Sequence, residues 1–580
     1  MDKYFTNNRA VQILISLMKA NGIRKVVASP GTTNIEFVGS IESDPYFEIY
    51  SSVDERSAAY IACGLAQESN EPVALSCTGA TASRNYFPGL TEAYYRHLPV
   101  LAITSTQPLS KIDSYSPQFI DRRTQPVDTV KESVQIGIIH DQEEEWNVNV
   151  LINKALLELK HHGGGPVHIN LTTTYSSDFT TKNLPPTRII RRFLPTDKLP
   201  KLQNKRNVVL VGSHVSWSES LTKAVEFFCE RYDACVVTDH TGNYQGKYKI
   251  NAPLICSQDY YKSECLNCKI AIHIGYISGS DIKLLADEIW RVNPDGVIRD
   301  TYKRLTNVFE MEEEVFFQYY NNKAKGNSDL SYYRLWKKEQ EDFQNSQTEE
   351  LPFSNAWIAQ KTIDKLPKNS ILYLGILNSL RTWDYFDISD TITVYSNTGG
   401  FGIDGMISGL LGTALASPHK LCFGVVGDLG FFYDINVLGN RHFSRNIRLM
   451  VVNNGRGTEF RNYNHHAAHF EEDADKYIAA AGHFGNKSNK LIKGYIEGLD
   501  FKYLCANNKE QYLSVLDEFL SVESDVPIVF EVFTDSEDES NAVKIMRNLK
   551  KDSKGATKQI VKGMIGEKGV STIKKMIGKK

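Results

Sequence analysis

LCFGVVGDLGFFYDINVLGNRHFSRNIRLMVVNN, Leu421 to Asn454, is the stretch on which the fold turns. An apolar run, Leu421–Val426, breaks at Gly427-Asp428. A helix is expected from Phe431 to about Phe443, and a second apolar run, Ile447–Val452, breaks at Asn453-Asn454. Short apolar runs on either side of a helix read as a βαβ unit with buried parallel strands. Both strands then end in oxygen-bearing side chains on one edge of a sheet, the edge where open parallel sheets bind ligands. Asp and Asn there are hard donors suited to Mg2+ or Ca2+, and Mg2+ commonly accompanies a phosphate. Gly427 and Gly430 would let backbone amides approach that phosphate. Gly-Asp alone reads as a strand-end turn with a capping Asp; Asn-Asn closing the next strand favours a site.

The same rhythm runs outward through the chain. Further apolar runs lie at Ser370–Leu374, Thr391–Tyr395 and Pro527–Phe533, which makes 352–545 one α/β region. Runs at Lys25–Ala28, Phe47–Val53, Pro72–Cys77, Pro99–Thr104 and Pro166–Leu171, with helical patterns at Ala10–Asn21 and Arg56–Gln67, make 1–180 another. Strands at Asn207–Gly212, Ala234–Thr238 and Lys269–Ile274 mark a third region, 206–330. Between them, 181–205 is punctuated by Pro185, Pro186, Pro195 and Pro200 and reads as a linker. The polar stretch 331–351 reads as a second linker or an exposed helix. The expectation is an α/β protein of three doubly wound parallel-sheet domains plus a basic C-terminal tail, 546–580, whose ten lysines after Asn548 interleave with Ile560, Met564, Ile573 and Ile577. Such a tail suits an anionic membrane surface or a partner, although Gly563, Gly566 and Gly569 weaken it as a helix.

Bulk properties exclude several classes. The 580 residues are 41% hydrophobic and 23% charged, with net charge −3, so no nucleic-acid partner is indicated. No apolar run reaches transmembrane length and Met1–Asn8 is polar, so a cytoplasmic location is expected, peripheral at the membrane if the tail binds there. Nine scattered cysteines, with Cys265 and Cys268 the one close pair, fit buried thiols in a reducing compartment.

Three other features need weighing. Gly400-Phe401-Gly402-Ile403-Asp404-Gly405 fits the G-x-G-x-x-G dinucleotide pattern and keeps a nucleotide-dependent oxidoreductase as the rival class. Ser52-x-x-Glu55 matches a capping box, which would make Glu55 a helix-capping carboxylate. Asp239-His240 ends a strand and reads as a surface turn.

Gly427-Asp428 followed by Asn453-Asn454 resembles the metal and diphosphate motif of thiamine-diphosphate-dependent enzymes. Val53-Asp54-Glu55-Arg56-Ser57 is similar to the segment carrying that family's activating glutamate, Cys77 to Asn85 to its glycine-bearing turn, and Gly164 to Asn170 to the strand closing its first domain. The resemblance covers nearly all of the chain to about residue 540. Tyr395-Ser396-Asn397, Gly402 to Gly405 and Gly427 to Leu429 resemble most the branch that joins 2-oxoglutarate to isochorismate in menaquinone synthesis. The resemblance implies a pyrimidine-binding domain at 1–180, a spacer domain, and a diphosphate-binding domain at 352–545. It implies thiamine diphosphate and Mg2+ as cofactors, with Asp428, Asn454 and the Arg456 carbonyl as metal ligands. The cofactor-binding set is Glu55, Asn378, Ser379, Gly402, Ile403, Gly427, Asp428, Leu429, Gly430 and Asn454, in which Ile403 supports the bent cofactor and Glu55 bonds the pyrimidine ring. Because the family takes Glu55 and the metal motif from different chains, a homodimer or homotetramer with shared sites is expected. The reaction implied is decarboxylation of a 2-oxo acid, with ligation to a second substrate, or simple decarboxylation, or the menaquinone-pathway reaction itself.

The substrate arginines of that branch are missing here. Thr32-Thr33, Thr106-Gln107-Pro108 and Asn397-Thr398-Gly399 stand where it has Ser-Arg, Asp-Arg-Pro and Asn-Arg-Gly, and Arg381 sits two positions early. Each charged hydrogen bond lost would cost about 1.5–3 kcal/mol, so a dicarboxylate donor fits poorly. The expected substrate-binding set is therefore Thr32, Thr33, Gln107, Gln118, Arg381, Thr398 and Arg461. The loop Gly455 to His469 should reach over the cofactor, offering Glu459, His465 and His466 as catalytic proton donors, with His469 nearby.

Overall fold

The computed structural model describes residues 4–347, 350–482 and 488–552. It divides into two compact units: Met1–Asp197 with Asp295–Glu310, and Lys198–Pro294 with the chain from Met311 onward. Among the described residues no helix is long and apolar enough to cross a membrane. The expected basic tail lies outside the described residues from 553 on.

In the first unit six parallel strands form a sheet in the order Glu48–Ser51, Lys25–Ala28, Val73–Cys77, Val100–Thr106, Val167–Thr172, Glu132–Ile136. The three central strands after Lys25–Ala28 are buried along their whole length, as their unbroken apolar runs require. Helices Arg9–Ala20 and Gln142–Glu158 pack Leu14, Met18, Val148 and Ile152 on one face. Helices Glu55–Ser69 and Phe87–Tyr95 pack Ala58, Ala62 and Leu90 on the other. The proline-rich stretch is not all coil, since Arg191–Phe193 pairs in parallel with Leu305–Phe309.

The second unit holds two sheets. One runs Lys249–Asn251, Ala234–Thr238, Asn207–Val211, Asn267–Ile274, Leu285–Val292, all parallel. The other runs Thr393–Tyr395, Ile371–Leu374, Cys422–Gly427, Ile447–Asn453, Ile528–Phe533, Lys502–Ala506. Counted in chain order, this sheet repeats the strand arrangement of the first unit, 2-1-3-4-6-5. Its order reverses at Ile371–Leu374 beside Cys422–Gly427, the kind of switch point at which such sheets bind ligands.

Three local expectations are corrected. The helix after Gly427 starts at once, Asp428–Tyr433, and gives way to a 3-10 turn, Ile435–Gly439, instead of running to Phe443. Asp434 ends it by accepting hydrogen bonds from the Ser408 amide and hydroxyl. The stretch after 330 is a helix, Ser331–Asn345, that buries Tyr332, Trp336 and Phe343. Asp239 and His240 are buried, not a surface turn. Asp239 accepts the Thr241 and Ser280 amides at 2.8 and 3.0 Å. Cys265 and Cys268 are buried free thiols, and burial pushes Cys268 up to about 12.

Candidate active site

A cleft opens at the switch point of the third sheet. Five chain segments line it, four of them from the carboxyl end of a strand or from the element next to it. Cys422–Gly427 delivers Asp428, buried to 5% exposure, whose Oδ2 accepts the Gly455 amide at 2.8 Å. Ile447–Asn453 delivers Asn454, also 5% exposed. Its Oδ1 is buried and has no hydrogen-bond partner among the described residues. Gly455 turns the chain at φ +76°, a conformation glycine adopts without the cost borne by other residues. Ile371–Leu374 leads through Leu377, at φ +71°, into the helix Asn378–Trp383, which places Asn378 and Ser379 on the cleft wall. A leucine in that conformation stores local strain of about 1–3 kcal/mol, a feature that gathers at functional sites. Ile403, in the turn before the helix Met406–Ala416, faces the same space.

The electrostatics suit a cation and a phosphate. Burial pushes the Asp428 carboxyl up to about 7, against the Leu429 and Gly455 amides that pull it down. A buried carboxyl beside an unpartnered amide oxygen lacks a positive partner, and a hard divalent ion would supply one to both. The Arg456 side chain does not fill that place, because its Nη1 is drawn to Asp475 Oδ2 at 2.7 Å. Among the described residues nothing stands within 4 Å of where a Gly427 side chain would begin, so the backbone there is open to a ligand. Gly430 is tight instead, with Met406 and the Ile403 carbonyl against it, which binds the Asp428 helix to the Ile403 turn. Asp428, Asn454 and Gly427 therefore fit a Mg2+–diphosphate group, with Ile403 facing the same space.

Glu459 lines the cleft and pairs with Arg381, Nη1 to Oε1 at 2.6 Å. The neighbouring histidines do not join it. His465 caps a 3-10 turn, its Nδ1 accepting the Ala467 amide at 3.1 Å, and His466 and His469 are exposed. None of the three lines the cleft. Arg461 reaches Asp475 at 3.5 Å, and the Thr398 hydroxyl turns to Ser213 at 3.2 Å. Asn355 was not foreseen. It lines the cleft, donates to Ser379 Oγ at 3.1 Å, and gives its amide to the buried Glu539 carboxylate. Its one signal is Ser354, which caps the helix Asn355–Thr362 and so marks its start.

The first unit carries the other candidates. Glu55 is the first residue of the helix Glu55–Ser69, half-buried, and accepts from Asn85 Nδ2 at 3.2 Å. The helix is capped by Asp54, whose Oδ1 accepts the Ser57 amide at 3.0 Å. The capping-box reading of Ser52 and Glu55 is thereby corrected, and the Glu55 carboxylate is left for another task. Thr33 is buried, bonded to Thr78 and the Ser105 carbonyl, while Thr32 and Gln118 are exposed and Gln107 donates to the Tyr175 hydroxyl at 2.6 Å.

The sequence also matches known proteins. The family of thiamine pyrophosphate enzymes, N-terminal TPP binding domain, matches residues 8–128. A 2-succinyl-5-enolpyruvyl-6-hydroxy-3-cyclohexene-1-carboxylate synthase of Bacteroides fragilis is 30% identical over 571 residues, 93% of this chain and 98% of that protein. A synthase of the same name from Flavobacterium johnsoniae is 29% identical over 555 residues, 90% and 95% of the two chains. Among solved structures, a thiamine diphosphate-dependent 4-hydroxybenzoylformate decarboxylase of Rhodococcus jostii covers 91% of this chain and 99% of its own at 17% identity and a TM-score of 0.40, a likeness too loose to argue from. The full-length match at 30% identity shows that the chain belongs to the thiamine-diphosphate-dependent enzymes.

Proposed function

We propose that this enzyme decarboxylates a 2-oxo acid with the help of Mg2+ and joins the remaining acyl unit to a second substrate. The observation that carries the reading is the pairing of the buried Asp428 carboxyl with the unpartnered Asn454 oxygen at the ends of adjacent strands. Those two side chains and the Arg456 carbonyl would hold Mg2+, and the Gly427–Gly430 backbone would take the diphosphate. Bound there, thiamine diphosphate supplies the electron sink that decarboxylation of a 2-oxo acid requires. Ile403, which lines the cleft, would support the bound cofactor. Glu459 stands in the wall, where it can hold or deliver a proton, and Arg381 fixes its orientation.

Glu55 would come from a partner subunit. The surface around it supports an association of chains, since Val53 is 80% exposed and Tyr60 and Ile61 lie open on the same helix. A homodimer with shared sites is the smallest assembly that fits.

The named reaction of the relatives is the second reading, favoured by their full-length similarity. Against it stands an ion pair: Arg381, the arginine displaced from its expected anchor position, faces Glu459 at 2.6 Å. We place the donor among 2-oxo acids with a single carboxylate. A panel of mono- and dicarboxylic 2-oxo acids, scored by CO2 release with and without an acceptor, tests this. Turnover confined to 2-oxoglutarate and isochorismate would establish the second reading.

A further inference from the structure

The first unit carries a cluster that the reaction above does not use. His161 and His162 sit in a 3-10 turn, His161–Gly163, after the helix Gln142–Glu158. Glu310 closes the segment Asp295–Glu310, far away in the chain. Its Oε2 lies 2.7 Å from His161 Nε2 and its Oε1 lies 2.6 Å from His162 Nε2. One ligand atom from each of the three residues lies within 4.8 Å of the other two. Ligands at about 2.1 Å around a tetrahedral zinc ion stand about 3.4 Å apart, so shifts of about 1 Å would admit the ion.

Each side chain is held in place by its surroundings. His162 adopts φ +45° and ψ +59°, a left-handed conformation costing about 1–2 kcal/mol outside glycine. That conformation sets the two imidazole rings 3.8 Å apart, centre to centre. His161 Nδ1 faces Glu158 Oε2 at 2.9 Å, and Arg192 Nη1 holds the other oxygen of Glu158 at 2.9 Å. A carboxylate behind a ligating imidazole fixes its tautomer and leaves Nε2 for the metal. Gly296, at φ +60°, lies where any side chain would strike the Glu310 carboxylate. The side chains of Glu310 and His161 are 10% and 14% exposed, and His162 is 66% exposed, so the cluster is walled on one side and open to solvent on the other.

We propose that His161, His162 and Glu310 bind a divalent transition metal of the zinc, cobalt or nickel kind, with water in the remaining position. Two imidazoles and a carboxylate are donors such ions prefer, whereas the oxygens of Asp428 and Asn454 suit Mg2+. The chain thus carries two sites of different hardness. The ion pins Asp295–Glu310 to the turn His161–Gly163, a tie across nearly 150 residues of chain. Without metal, the two Glu310 oxygens lie within hydrogen-bonding distance of the His161 and His162 Nε2 atoms in its place.

The test uses the full chain with thiamine diphosphate and Mg2+ present. It is dialysed against micromolar Zn2+ and assayed for bound metal, and Co2+ is added separately to read the visible bands of a tetrahedral ion. Wild type is expected to retain about one equivalent of Zn2+ more than His162→Ala and Glu310→Gln, to show Co2+ bands that both variants lack, and to melt at a higher temperature with Zn2+ than without. His162→Ala alters an exposed ring and keeps the fold intact. Equal Zn2+ retention by wild type and His162→Ala overturns the proposal and leaves a histidine–carboxylate hydrogen-bonded clamp.

Discussion

Arg381 donates from Nη1 to Glu459 Oε1 at 2.6 Å, and Glu459 stands in the wall of the cleft that holds Asp428 and Asn454. The pair is partly open, with side-chain exposures of 40% and 20%, so its worth lies in cancelling charge at the substrate end more than in stability. Glu459→Gln uncovers the Arg381 guanidinium. The ratio of kcat/KM for a dicarboxylic over a monocarboxylic 2-oxo acid should then rise about tenfold, one charged hydrogen bond's worth. Any loss of proton transfer at Glu459 lowers both donors alike and cancels in the ratio. An unchanged ratio would place the donor's far end elsewhere.

Glu55 and Asp54 are neighbours with separable roles. Asp54 caps the helix, and Glu55 does not. Asp54→Ala should cost about 1 kcal/mol of stability. Glu55→Gln should leave the melting temperature and thiamine diphosphate affinity nearly unchanged while lowering kcat about 100-fold or more. A Glu55→Gln protein that loses stability in step with activity would return Glu55 to a structural role.

Glu539 provides a pH signature. Burial pushes it up to about 7, against hydrogen bonds from Thr534 and the Asn355 amide. The folded protein therefore holds a proton that the unfolded chain releases above about 4.5. Unfolding releases that proton between about pH 4.5 and 7, so this contribution is whole at low pH, falls as pH rises through the window, and is flat above it. Asp239 and Asp384 are raised in the same direction, burial again leading. Urea midpoints of wild type and Glu539→Gln, followed from pH 5 to 8, should converge in slope above 7, with the variant shallower below. Parallel curves across the range would show Glu539 ionised throughout.

How far the residues announced this structure varied with their setting. Cys422–Gly427 and Ile447–Asn453 were legible because strands buried on both faces are written as unbroken apolar runs. The last strands of both six-stranded sheets, Glu132–Ile136 and Lys502–Ala506, were missed because neither is an unbroken apolar run, each mixing buried positions with half-buried or exposed ones. In the cleft, Asp428 and Asn454 could be placed together because adjacent parallel strands bring their ends to one edge. Asn355 could not, since its part depends on Ser379, Trp383 and Glu539, which are remote in sequence. The histidines misled for the opposite reason. They follow the metal motif closely in sequence, but the chain turns away at Asn462, and His465 spends its ring nitrogen on the Ala467 amide.

The central claim is that the cleft at Asp428 and Asn454 binds thiamine diphosphate through a divalent ion. It is tested most directly by calorimetric titration of the purified protein with thiamine diphosphate, with and without Mg2+, in wild type and Asp428→Ala. Saturable binding that requires Mg2+ and is lost in Asp428→Ala is the predicted result. Equal binding by wild type and variant, or saturable binding of NADH or FAD in place of thiamine diphosphate, would contradict it.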